Sequence, residues 1–73
     1  MKNVSGKRIK EARKHQNLSQ VDLAAALDVD CDVKLDRSDI SEIERGVRGV
    51  KDFELDAIAQ ILEVSPEWLL RGD

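Results

Sequence analysis

The chain has 73 residues, 41% hydrophobic and only 3% aromatic, which bounds it to one domain with a thin, aliphatic core. Its net charge of −3 is uneven: residues 1–14 carry six bases against one acid, 15–36 five acids against Lys34, 37–52 four of each, and 53–73 five acids against Arg71, so a basic face and an acidic back are expected whatever the total. The single cysteine, Cys31, excludes a disulfide within the chain and makes a reduced, cytoplasmic setting the default, and no apolar run approaches the ~20 residues of a membrane span.

The opening stretch, MKNVSGKRIKEARK, has no apolar core of the kind a secretory signal needs, so none is expected. A first helix is expected over residues 4–16, capped by Asn3 or Ser5. Ile9, Ala12 and Val4 would face inward, the bases Lys7, Arg8, Lys10 and Lys14 mostly outward, and Asn17 would end it. Ser19 followed by Asp22 at the third helical position has the spacing of a capping box and starts a second helix. Leu23, Ala24 and Leu27 form its inward stripe.

Residues 28–35 alternate acidic or basic side chains with apolar ones. That alternation suits a strand, but a lone strand has no partner, and the expectation is a frayed helix end followed by a loop, with Val33 and Leu35 tucked onto the core. A third helix begins at Asp36, again with Asp39 three residues on. It docks through Ile40 and Ile43 and stops at Gly46. A fourth spans 52–62 with Leu55, Ile58, Ala59 and Leu62 on one face. Ser65-Pro66 starts a short fifth over 66–70, with Ser as cap and Pro at the first helical position. Five helices and no credible strand make an all-α domain.

Catalytic and metal chemistry find little footing. His15 is the only histidine and reads as a surface residue at a helix end, and Cys31 has no evident base to activate it. Asp28-x-Asp30-x-Asp32 has the opening spacing of a calcium loop, but Val33 and Asp39 stand where that loop needs Gly and Glu. Neither an enzyme nor a bound cofactor or metal is expected.

Four stretches carry a family resemblance: Arg8-Ile9-Lys10-Glu11-Ala12-Arg13; Leu18-Ser19-Gln20 with Leu23-Ala24; Ile40-Ser41-Glu42-Ile43-Glu44-Arg45-Gly46; and Leu62-Glu63-Val64-Ser65-Pro66-Glu67-Trp68-Leu69-Leu70. In this order and near this spacing, they make the chain resemble the lambda-repressor-like, or Xre-type, helix-turn-helix family over nearly its whole length. The resemblance implies one DNA-binding domain over residues 1–73, a compact five-helix all-α fold. It implies a repressor-like regulator that acts as a homodimer on double-stranded DNA, in the cytoplasm and associated with the nucleoid. The helix at 37–45 would enter the major groove.

On that helix Arg37, Ser38, Ser41, Glu42 and Arg45 are of types that read base edges or hold phosphates, and Gln20, Arg48 and Lys51 are expected to contact the backbone, which sets register without reading sequence. In the 46–51 loop, free N–H groups would assist. Arg13 and Glu44 would form a structural ion pair, and Trp68 would cap the core. Relatives also include antitoxins, so a toxin-like protein partner is the alternative. One departure stands out: Leu27 and Ile40 lie 13 positions apart, several more than is commonest in the family, so the connection between the second and third helices is lengthened and acidic.

Overall fold

The computed structural model describes residues 4–71, with the Val4 side chain, Asn3 and the last two residues outside the described part. Five helices follow in order: α1 (Val4–His15), α2 (Gln20–Cys31), α3 (Arg37–Glu44), α4 (Asp52–Leu62) and α5 (Pro66–Arg71). Among the described residues there is no strand, and no helix is long and apolar enough to cross a membrane.

The local signals account for the boundaries. Ser19 Oγ accepts from the Asp22 N–H at 3.0 Å while the Asp22 carboxylate accepts from the Ser19 N–H at 3.0 Å, a reciprocal box at the start of α2. Asp36 and Asp39 repeat it at the start of α3, at 2.8 and 3.1 Å. Ser65 Oγ accepts from the Trp68 N–H. Asn17 and Gly46 take positive φ after α1 and α3, a conformation that ends a helix with little steric cost only for such residues. Ser5 departs from expectation. It lies inside α1 as its second residue and is buried, so it is not the cap.

Ile9, Leu23, Leu27, Ile40, Ile43, Ile58, Leu62 and Leu69 have no more than about 1% of their surface exposed and form one core drawn from all five helices. Ala12, Leu55 and Ala59 are buried beside them, Ala24 is half-buried, and Trp68 packs against the same core from its edge.

The long connection is ordered differently from the expected frayed end and loop. α2 continues to Cys31, and Asp32 then turns left-handed and donates its N–H to Leu27 O. Residues 32–36 form a strap, neither helix nor strand, in which Val33 and Leu35 are buried. Lys34 Nζ pairs with Asp28 and, at 3.5 Å, with Asp32, fastening the strap to α2 on the solvent side.

Candidate nucleic-acid interface

Most residues of α3 and its C-cap Arg45 fall into two groups, apart from Asp39 in the capping box and Glu44. Ile40 and Ile43, three apart, are sealed against the core. Arg37, Ser38, Ser41, Glu42 and Arg45 lie at offsets 0, 1, 4, 5 and 8, which keep to one side of an α-helix. These five line a single shallow polar depression of about 220 Å³. Arg37, Ser38 and Arg45 are exposed, and Ser41 and Glu42 half-exposed. The depression therefore offers guanidinium donors at both ends, hydroxyls between them and one carboxylate acceptor. Such a set can pair with guanine, with several bases, and with the cytosine amino group, respectively.

What fixes this helix is a network behind it. Glu44 at the end of α3 has only 2% of its side chain exposed. Its carboxylate accepts from Arg13 Nε at 2.7 Å and Arg13 Nη2 at 3.0 Å, the edge-on, two-point geometry that favours arginine over lysine. Arg13 Nη1 donates to Leu18 O at 2.8 Å, in the turn between α1 and α2. Gln20 Nε2 donates to Glu44 Oε1 at 3.1 Å. The Arg13–Glu44 pair thus ties α1, the turn, the first residue of α2 and the end of α3 together. Gly6 permits the same approach from the backbone side: a Cβ there would lie 2.2 Å from Ile43 O, so α1 and α3 cross too closely for any larger residue.

The residues expected to hold phosphates meet different fates. Lys51 is exposed at the mouth of α4. Gln20 is half-buried with one amide hydrogen committed to Glu44. A carboxamide nitrogen carries two hydrogens, so one remains for an outside acceptor. Arg48 is turned inward: its two terminal nitrogens donate to Glu54 Oε1 and Oε2, each at 3.2 Å, and Nη1 also donates to Gly49 O.

The loop N–H groups are mostly spent as well. Those of Val47 and Arg48 donate to Glu42 O, that of Gly46 to Ile43 O, and that of Lys51 to Glu54 Oε1. The expected row of free amides in 46–51 is therefore reduced to Gly49 and Val50. The loop has to be rigid to present α3, and its rigidity uses the donors. On α1, Lys7, Lys10 and Lys14 are exposed. Arg8 is half-buried, with Nη1 shielded from solvent and without a hydrogen-bond partner.

Glu54 was not anticipated from the sequence. It is buried and accepts from both Arg48 and the Lys51 N–H. Burial pushes its carboxyl pKa up, but the Arg48 guanidinium, the Lys51 N–H and the positive charges of both residues outweigh it and hold the group below its ordinary value. The same contact raises the Arg48 pKa. The available signal was the capping-box spacing from Lys51 to Glu54.

A family model described as a helix-turn-helix domain matches residues 6–73. Among solved structures, the P22 c2 repressor protein in complex with a synthetic operator superposes with a TM-score of 0.82 at 28% identity, covering 96% of this chain and 97% of that one. The restriction-modification controller protein C.AhdI from Aeromonas hydrophila superposes with a TM-score of 0.78 at 33% identity, covering 92% of each. No curated protein sequence matches. The Arg13–Glu44 clamp, the docked isoleucines of α3 and these likenesses agree, and the chain belongs to the lambda-repressor-like helix-turn-helix family.

Proposed function

We infer that the chain is a sequence-specific, DNA-binding transcriptional regulator that acts without enzymatic chemistry. The observation that carries the reading is the α3 depression: five polar side chains converge on one face, over two isoleucines that anchor the opposite face, on a framework like that of a repressor bound to its operator. Arg37, Ser38 and Ser41 read base edges at the amino-terminal half of the helix, Arg45 lies further along it, and Glu42 accepts from cytosine or repels wrong sequences. Gln20 and Lys51 hold phosphates and set register. Arg48 acts by ordering the 46–51 loop against Glu54.

The regulator works in the cytoplasm, at the nucleoid, as a homodimer on a two-fold symmetric site with half-sites about 10 base pairs apart, where it occludes a promoter. A toxin-like protein partner has only the family resemblance behind it. The test is selection of bound duplexes from a random library, followed by a salt titration of the selected site and of bulk DNA. The expected result is a near-palindrome bound well above bulk DNA, with log affinity falling steeply and linearly with log salt. Failure to enrich any duplex would overturn the reading.

A further inference from the structure

Where α1 and α4 end and α5 begins, the chain encloses a cleft of about 520 Å³ that no residue of α3 lines. Its floor is apolar. Ala12 and Leu62 are buried there, and Val64 and Trp68 are half-buried. Trp68 is the chain's single tryptophan. It packs on the core and leaves part of its surface to the cleft.

The polar groups around this floor are mainly acceptors. Glu11 and Glu63 are exposed, and neither side chain has an ion-pair or hydrogen-bond partner among the described residues. Gln16 donates through its amide nitrogen to Leu62 O at 3.2 Å, and its oxygen remains as a third acceptor. No lysine or arginine lines the cleft. Arg13, next to Ala12 on α1, has its charge matched by Glu44. The backbone adds to the same sign. α1 ends at His15 and α4 at Leu62, so two helix carboxyl ends meet here, each with a partial charge of about half a unit negative.

This field selects the occupant. Phosphates and other anions are repelled by it. A second copy is disfavoured too, because a two-fold contact sets a patch against itself and would bring two pairs of unmatched carboxylates together. We propose that the cleft binds a small organic cation, a protonated amine or guanidinium on a flat apolar body. The body would lie over Leu62, Val64 and Trp68, and the charged head between Glu11 and Glu63, where the indole also attracts it. Apolar walls, a few placed polar groups and a volume within the usual range of about 300–1,000 Å³ are the properties of a small-molecule site.

The experiment titrates the whole chain with three probes of one shape and different charge: phenethylammonium, phenethyl alcohol and phenylpropionate. Titrations run at pH 8, so that imidazole stays neutral. Trp68 fluorescence and amide chemical shifts report binding. Phenethylammonium should bind saturably with a Kd on the order of 1 mM and move amides at residues 11–16 and 62–68. The alcohol should bind about tenfold more weakly, the carboxylate not at all, and added salt should weaken the cation.

Glu63 provides a variant that cannot fail merely by unfolding. It takes a left-handed backbone, φ 59°, which glycine adopts at lower cost. Glu63→Gly combined with Glu11→Gln should therefore keep the parent's thermal stability while weakening phenethylammonium about tenfold. Equal binding of the alcohol, shifts centred elsewhere, no saturable binding, or affinity indifferent to the two glutamates would overturn the proposal. So would Trp68 emission that follows protein concentration and not the probe, which would give the cleft to a second copy.

Discussion

Arg13 and Glu44 meet edge-on across α1 and α3, Nε to Oε2 at 2.7 Å and Nη2 to Oε1 at 3.0 Å, with 9% and 2% of their side chains exposed. A pair so buried stabilises the fold mainly against its own disruption. Removing one partner leaves a desolvated charge, and Glu44→Ala or Arg13→Ala should cost about 3–5 kcal/mol. Replacing both with apolar residues of similar volume, Arg13→Met with Glu44→Leu, should restore most of that loss. Urea unfolding of the parent, Arg13→Met, Glu44→Leu and the double variant closes the double-mutant cycle. Single losses below about 1 kcal/mol would show that the pair behaves as an exposed one.

Gly6 makes the second prediction, because two effects there oppose each other. Alanine is favoured over glycine within a helix by about 1 kcal/mol, so Gly6→Ala would stabilise an isolated α1. In the folded chain the added carbon would lie 2.2 Å from the Ile43 carbonyl oxygen and 3.0 Å from that of Glu44, both backbone atoms that cannot rotate away. The clash should win, with a net loss of about 1–3 kcal/mol as in other overpacked sites. Since relief requires α3 to move, affinity for the selected duplex should fall by more than the stability loss explains. A variant at least as stable as the parent would show that α1 and α3 can separate freely.

Much of this scaffold was legible in the sequence. The Ser19/Asp22 and Asp36/Asp39 boxes and the Ser65-Pro66 start are local signals read within four residues, and each is found as a cap or helix start. Ile40 and Ile43 were legible because helical periodicity separates docked from exposed positions. The end of α2 was not, since alternating aspartates and apolar residues are compatible with helix, strand or loop. What decides it is tertiary: Val33 and Leu35 reach the core only if the chain turns at Asp32. The inward turn of Arg48 was hidden for a related reason. An arginine in a loop after a recognition helix looks like a phosphate contact until the buried carboxylate of Glu54, on the next helix, is placed beside it.

That Arg48–Glu54 pair predicts a pH dependence. The folded-state pKa of Glu54 is lowered, so its contribution to stability is complete above the ordinary glutamate value of about 4.3 and is lost as pH falls through the folded value. Arg48→Met removes the guanidinium but leaves the burial, which acts to raise the carboxyl pKa. The variant should therefore be least stable relative to the parent at neutral pH, where a buried carboxylate lacks its main partner. The difference should shrink as pH falls below about 4. Urea unfolding from neutral pH down to pH 3 measures it, and a difference independent of pH would show that Glu54 does not depend on Arg48 for its charge.

The same pair separates the cations of the interface by what each does to salt dependence. Lys51 is exposed, whereas Arg48 already has its charge matched by Glu54. Lys51→Ala should weaken binding to all duplexes about equally and reduce the salt slope by about 1. Arg48→Ala should change that slope little, its losses coming through a loosened 46–51 loop. Arg37, at the first turn of α3 and on the rim of the polar depression, should behave as neither. Arg37→Ala should cost roughly 1–3 kcal/mol on the selected duplex and much less on random DNA, with relaxed preference at one base position. Fluorescence anisotropy on matched and randomised duplexes at several salt concentrations gives all three results. An equal loss for Arg37→Ala on every sequence would make Arg37 a phosphate contact and shift base reading to Ser38, Ser41 and Arg45.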